Sequence, residues 1–149
     1  MCTVPYVVLD TYMHPYTAET RHQVYSVTKS FLSALVGIAI EQGYIESIDQ
    51  PVVEFFPDWE IANLNENKQA MTLGDLLTMS AGLQWSGSVE DYESMVASEH
   101  WGKHVLDLPI VSTPGAEFVY SDGAGHLVGF ILTQATGMTL REFAEQKGP

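Results

Sequence analysis

The alternation of apolar and polar positions divides the chain into short elements. Val4 to Tyr12 reads VPYVVLDTY, rich in β-branched and aromatic residues and closed by His14-Pro15, which predicts one strand and a turn. A lone strand is not stable in water, so the same pattern demands a sheet for it to join, and few further strands are in prospect downstream. From Ser26 the period changes. SVTKSFLSALVGIAIEQG predicts a helix over 26–42 that stops at Gly43. Past its first turn the apolar residues Phe31, Leu32, Leu35, Val36, Ile38, Ala39 and Ile40 occupy every face, so this helix is expected to be surrounded by protein.

Capping signals mark the elements that follow. Asp49-Gln50-Pro51 opens a short helix that Pro57 closes, and Thr72 with Asp75 three residues on predicts a capped helix ending near Gly82. Ser88 with Asp91 repeats the device for VEDYESMVASEH. A loop through Pro109 and Pro114-Gly115 leads to an extended stretch over Glu117 to Tyr120. Ser121-Asp122 then starts a helix, GAGHLVGFILTQAT, stopped at Gly137, and Thr139 with Glu142 opens a last one. The expectation is five or six helices and two strand-like pieces, a helical unit with one edge of a sheet attached, and no linker dividing it.

Composition narrows the class. The 149 residues are 46% hydrophobic and 17% charged, which excludes a disordered tail or a fibrous repeat. Six basic against nineteen acidic residues give a net charge of -13, with the basic residues scattered singly. That excludes nucleic acid and an anionic membrane surface as partners, since both need a Lys/Arg patch. The longest apolar run, Leu32 to Ile40, is about half of what a membrane-spanning helix needs. One cysteine, Cys2, forms no internal disulfide, and MCTVPYVVLD has no secretory pattern, so a cytoplasmic location is the default expectation.

Ser26 and Lys29 stand at i and i+3 in the first turn of the apolar helix, so both side chains project from one face. The helix start places unpaired N–H groups and the positive dipole end beside the Ser26 hydroxyl. A lysine pushed toward neutrality by burial can take a proton from an adjacent hydroxyl; the alternative is a lysine that snorkels to solvent. The Ser-x-x-Lys tetrad by itself does not decide between them.

The wider context does. QVYSVTKSFLSALVGIAIEQGYIESIDQPVVEFFPDW, then MTLGDLLTMSAGLQW, then PGAEFVYSDGAGHLVGFILTQATGMTLREF are three ordered blocks, and the likeness they carry runs over nearly the whole chain from about Tyr6. Together they resemble the serine β-lactamase-like hydrolases, which include class C β-lactamases, D-alanyl-D-alanine carboxypeptidases, esterases and nylon-oligomer hydrolases. The resemblance implies an α/β fold of the β-lactamase/transpeptidase-like type, here mostly helical with one sheet edge. It implies Ser26 as the acylated nucleophile, Lys29 as its proton acceptor and Tyr120 as the phenol that relays a proton to the leaving group, with no metal or organic cofactor. Taken alone, Tyr120 is one of seven tyrosines and reads as a half-buried packing residue. Asp122 departs from the asparagine that many members carry two residues after this tyrosine. A carboxylate facing Lys29 favours the charged lysine and weakens it as a base, which shifts the expected substrate from a lactam toward an ester or amide; the alternative is that Asp122 caps the following helix.

Other residues are weighed in the same way. Trp85 and Trp101 are candidates for a substrate rim or for core, with Trp85 placed among the substrate-binding residues beside Asp122. His100 and His104 have the i,i+4 spacing of a metal pair, but no Glu partner accompanies them, and they read as surface or rim histidines. Gly123-Ala124-Gly125 reads as helix-start packing, Trp59 and Phe118 as packing, and Glu90, Asp91, Glu93 and Glu99 as a solvated face.

The family's third motif, a Lys-Thr-Gly or His-x-Gly on a central strand that also supplies an oxyanion N–H, has no Lys-Thr-Gly or His-Thr-Gly counterpart in these residues. The expected organisation is therefore one partial domain over 1–149, with a strand at 4–12, the nucleophile helix at 26–42, a helical region at 46–149 and the C-terminal sheet absent. Two classes follow: a serine hydrolase acting on a small-molecule ester, amide or lactam and completed by a further C-terminal fragment, or a noncatalytic piece that self-associates as a homo-oligomer through its sheet edge.

Overall fold

The computed structural model describes residues 6–147. A 3-10 turn at Tyr25–Val27 leads into α1 (Thr28–Glu41), and a second lies at Val52–Phe55. Then come α2 (Glu66–Ala70), α3 (Leu73–Leu77), α4 (Val89–Ala97), α5 (Trp101–Asp107), α6 (Asp122–Thr136) and α7 (Leu140–Lys147).

Local caps account for most of the helix starts. Thr72 and Asp75 exchange bonds in a complete capping box, the Thr72 N–H donating to Asp75 Oδ2 at 2.9 Å and the Asp75 N–H to Thr72 Oγ1 at 3.2 Å. Ser88 accepts from the Asp91 N–H, Ser121 from the Ala124 N–H, and Thr139 from the Glu142 N–H. Ser121, not Asp122, is thus the cap of α6. Gly137 takes a left-handed conformation (φ 69°) and ends that helix. α3 stops at Leu77, well short of Gly82, because the chain turns at Met79, whose φ is +58°.

α5 goes against propensity, since Gly102 sits in its first turn. A Cβ at Gly102 would lie 2.6 Å from Phe130 Cδ2, so the glycine is what lets α5 lie against α6. His100 caps it, its Nδ1 accepting from the Lys103 N–H at 3.2 Å, with its ring packed near Trp59 and Phe130.

The strand expected at 4–12 does not form over its described part. Residues 6–12 pair with nothing and expose their side chains, Val8 to 94%. Val4 and Pro5, like Cys2, lie outside the described residues. Among the described residues β pairing is confined to two antiparallel bridges, Pro51 with Thr72 and Leu83 with Ile110. A β-branched pattern gives a segment the surface of a strand, but without a neighbour its N–H and C=O groups go to solvent. The same holds for residues 117–120, fastened by one backbone bond from Val119 N–H to the Met79 carbonyl (2.8 Å), and it leaves Phe118 exposed where packing was expected.

The core is organised around α6, whose Ala124, Leu127, Val128, Ile131 and Leu132 are buried. Val36 and Ala39 of α1, Leu73 and Leu76 of α3, Met95 of α4, Val105 and Leu106 of α5 and Phe143 of α7 join them. α1 is not enclosed as expected: Val36 and Ala39 are its buried residues and Phe31 is 65% exposed, because α6 covers one side of it. The fully buried lysine is Lys68 of α2, at 0% exposure. Its Nζ donates to the carbonyls of Ala62, Leu106 and Leu108 at 2.7–2.8 Å, fastening the loop before α2 to the C-terminal end of α5. No helix among the described residues is long and apolar enough to cross a membrane.

Candidate active site

Ser26 lies in the 3-10 turn ahead of α1, not in the first turn of an α-helix beginning at 26. Tyr25 sets this geometry by adopting a left-handed φ of +45°, which is strained for an aromatic residue and turns the chain sharply into the helix. Three residues per turn in such a segment bring positions i and i+3 into register, so Lys29 stands directly over Ser26. Lys29 Nζ donates to Ser26 Oγ at 3.0 Å.

α6 and the segment before it bring the remaining groups. Tyr120 Oη makes a short hydrogen bond with Ser26 Oγ and accepts from Lys29 Nζ at 3.0 Å, with the ammonium 5.0 Å from the centre of the phenol ring. Asp122, first residue of α6, accepts from Lys29 Nζ through Oδ1 at 2.6 Å. Ser26, Lys29, Tyr120 and Asp122 thus meet at one point although they come from two regions of sequence more than ninety residues apart.

Gly125, one turn into α6, makes room for the lysine. A Cβ there would lie 3.0 Å from Lys29 Cε, so the side chain lies directly on the helix backbone. Gly123 does the same for Trp85, whose ring would be 2.8 Å from an added Cβ. That contact corrects the placing of Trp85: it is buried in the core against α6, not at a substrate rim. Trp101 is the tryptophan that borders the site. It lines a cleft of about 860 Å³ together with Ser26, Lys29, Asp122, His126 and Phe130, a size suited to a small organic ligand.

The electrostatics reverse one expectation for Lys29. Burial pulls its ammonium down, but the hydrogen bonds to Asp122 and Tyr120 and the charges of both outweigh that, and the net displacement is above the ordinary lysine value. The side chain is partly buried, 23% exposed against 39% for Asp122, so desolvation, the largest single effect, is outweighed only by its partners taken together. His126, edge-on to Trp101 at 5.1 Å between ring centres, is a cleft residue that the sequence did not single out. Burial holds its imidazole below the ordinary value, with Asp122 opposing and Lys29 reinforcing, which favours the neutral ring. Its signal was its position four residues after Asp122, on the same face of α6. His104 stands apart from the site, 3.5 Å from Ser94 Oγ.

A model of the beta-lactamase family matches residues 6–147 of the chain. The chain belongs to the beta-lactamase family. It is 31% identical over 75 residues to beta-lactamase-like protein 2 of Dictyostelium discoideum, a match covering 50% of this chain and 14% of that protein. Among solved structures it is similar to the octameric penicillin-binding protein homologue of Pyrococcus abyssi, with 26% identity, a TM-score of 0.62, and coverage of 83% of this chain and 29% of that one. It also shares its fold with a D-stereospecific amidohydrolase from Streptomyces sp., at 21% identity and a TM-score of 0.65, covering 85% of this chain and 41% of the other. The chain therefore spans well under half the length of these relatives. The β-lactamase/transpeptidase-like fold expected from the sequence is the fold observed, in its mostly helical part.

Proposed function

We propose that the chain carries the acyl-transfer site of a serine hydrolase that cleaves a small-molecule ester or amide through an acyl-enzyme on Ser26. The observation that supports this best is the convergence of Ser26 Oγ, Lys29 Nζ and Tyr120 Oη within mutual hydrogen-bonding reach beside a cleft. A nucleophilic hydroxyl, a cation beside it and a phenol able to accept and return a proton are the groups that acyl transfer requires. Membership of the beta-lactamase family supports attack on a carbonyl, and the similar amidohydrolase fold is compatible with an amide. Asp122, whose carboxylate adds negative charge to the site, favours an uncharged ester or amide over the carboxylate-bearing substrates of lactamases and carboxypeptidases.

A fluorophosphonate probe followed by intact mass spectrometry tests the reading. One adduct is expected on the wild-type chain and none on Ser26→Ala, with a short-chain nitrophenyl ester turned over in preference to a chromogenic cephalosporin. An unlabelled wild type, or equal labelling of the alanine variant, overturns the assignment of Ser26; preference for the cephalosporin overturns the ester reading.

Gly125→Ala probes the lysine's seat. Alanine is favoured over glycine inside a helix by roughly 0.5–1 kcal/mol, so thermal stability is expected to hold or rise. The new methyl displaces Lys29 by a few tenths of an ångström. Probe reactivity of Ser26 is then expected to fall about tenfold, since catalytic geometry is sensitive on that scale; unchanged reactivity would show that the lysine's alignment does not matter.

A further inference from the structure

The cleft beside Ser26 continues well past the reacting groups. It follows one face of α6 through Asp122, His126, Gly129, Phe130 and Thr133, positions three or four apart. Asp122 and Thr133 are eleven positions apart, so this trough runs for about 16 Å along the helix. Its walls are Leu32 of α1, Val89 and Tyr92 of α4, Trp101 of α5 and Leu140 of α7. A Cβ at Gly129 would lie 3.0 Å from Leu140 Cδ1, so that leucine rests on bare helix backbone as Lys29 does at Gly125.

Charge is confined to the reactive end of the trough, where Lys29 and Asp122 pair with each other. His126 lies edge-on to Trp101, and burial favours its neutral ring. Two of the hydroxyls along the trough are already used, Thr133 Oγ1 donating to the Gly129 carbonyl at 3.1 Å and Ser88 Oγ accepting from the Asp91 N–H. Val89 and Tyr92 meanwhile leave apolar surface open to solvent beside the reacting groups. We propose that this trough is an acyl subsite, and that it selects esters or amides carrying an uncharged, apolar acyl chain of about octanoyl length. The inference rests on the acyl-enzyme reading above and names its substrate class.

The lining decides which half of the substrate lies there. In the acyl-enzyme reading Tyr120 hands the leaving group its proton, and Ser26 and Lys29 line the trough whereas Tyr120 does not. The leaving alcohol or amine therefore departs on the tyrosine's side, and the acyl group is the part that stays along α6. Ser26 Oγ bonds to the carbonyl carbon as the bond to the leaving oxygen or nitrogen breaks, and the Ser26 proton ends on that atom. Water then gives its hydroxyl to the carbonyl carbon and a proton to Oγ, releasing the acid. Every methylene that enters the trough leaves water beside Leu32, Trp101, Phe130 or Leu140, so chain length is read as apolar burial.

The test presents the full chain with the nitrophenyl esters of acetate, butanoate, hexanoate and octanoate, each below its micelle-forming concentration. Nitrophenol release and the acyl-enzyme mass are followed, with Ser26→Ala as background. The second-order rate constant of acylation is expected to rise about two- to fourfold per added methylene, the worth of a partly to fully buried CH₂ group. A rate constant that is flat or falls beyond butanoate overturns the proposal. Thr133→Trp fills the far end and Trp101→Ala removes a wall, and each is expected to lower the octanoate-to-acetate ratio about tenfold; a wild-type ratio in both variants overturns the proposal. Leu140→Trp replaces either variant if it loses its helical circular dichroism. No acyl-enzyme from any ester and no fluorophosphonate adduct overturns the hydrolase reading instead. Octanamide binding then judges the trough by itself, read from the part of the tryptophan fluorescence that Trp101→Phe lacks. Tighter binding of octanamide than of acetamide supports the trough, and equal binding or none overturns it.

Discussion

Tyr120→Phe is expected to slow acylation of Ser26 by about 10²–10⁴-fold while leaving the fold intact, the range lost when a positioned acid or base is removed. The substitution deletes one oxygen and no packing volume. That oxygen meets both Ser26 Oγ and Lys29 Nζ, so its loss takes away the short hydrogen bond to the proposed nucleophile and one of the three oxygens around Lys29 Nζ. Structural cost is small because Tyr120 is 44% exposed and its segment is tied down through the Val119 and Ser121 backbone N–H groups, not through the phenol. The probe-labelling rate and the thermal midpoint separate the effects: a rate loss of less than tenfold, or a midpoint that falls with the rate, would remove Tyr120 from the proton route.

The parts of this site that were legible in the sequence are those whose geometry is local. Ser26 and Lys29 meet because positions three apart share a face, and the caps at Thr72, Ser88, Ser121 and Thr139 each act on a backbone N–H three residues away. Tyr120 was reached through the resemblance of its segment, not from spacing. What the sequence left open is decided by contacts across the fold. Trp85 and Trp101 are chemically equivalent candidates, and a methylene-sized gap at Gly123 places one in the core while the other borders the cleft. α5 contradicts its own propensity at Gly102 because Phe130 needs that space. The segment at 4–12 has the composition of a strand, but composition does not supply a neighbour. For Lys29, the apolar helix pointed to a lowered proton affinity; the ion pair with Asp122, ninety-three positions away, reverses the direction.

Lys68→Met is expected to destabilise the fold by several kcal/mol, because its ammonium is the donor to three backbone carbonyls. Lysine and methionine fill similar volumes, so the loss is in hydrogen bonding and not in packing. The Lys68 ammonium serves the carbonyls of Ala62, Leu106 and Leu108, and two of these belong to the end of α5, where a helix leaves carbonyls unpaired. Each buried carbonyl left without a donor costs about 1–3 kcal/mol, partly offset because the variant no longer desolvates a charge. Against a typical domain stability of 5–15 kcal/mol this is a large fraction. The half-buried i,i+4 pair Lys103–Asp107 provides the control, since Lys103→Ala is expected to cost about 1 kcal/mol. pH adds a second signature. Burial pushes the Lys68 ammonium below the ordinary lysine value, with the Asp107 carboxylate opposing. In the window just below that ordinary value the unfolded chain therefore binds more protons than the folded one, and stability gains from this group as pH rises; the methionine variant lacks that gain. Urea unfolding followed by circular dichroism reads both effects. A Lys68→Met midpoint as close to wild type as that of Lys103→Ala would mean that the three carbonyls find other donors and that α5 is held by its apolar contacts with α6 alone.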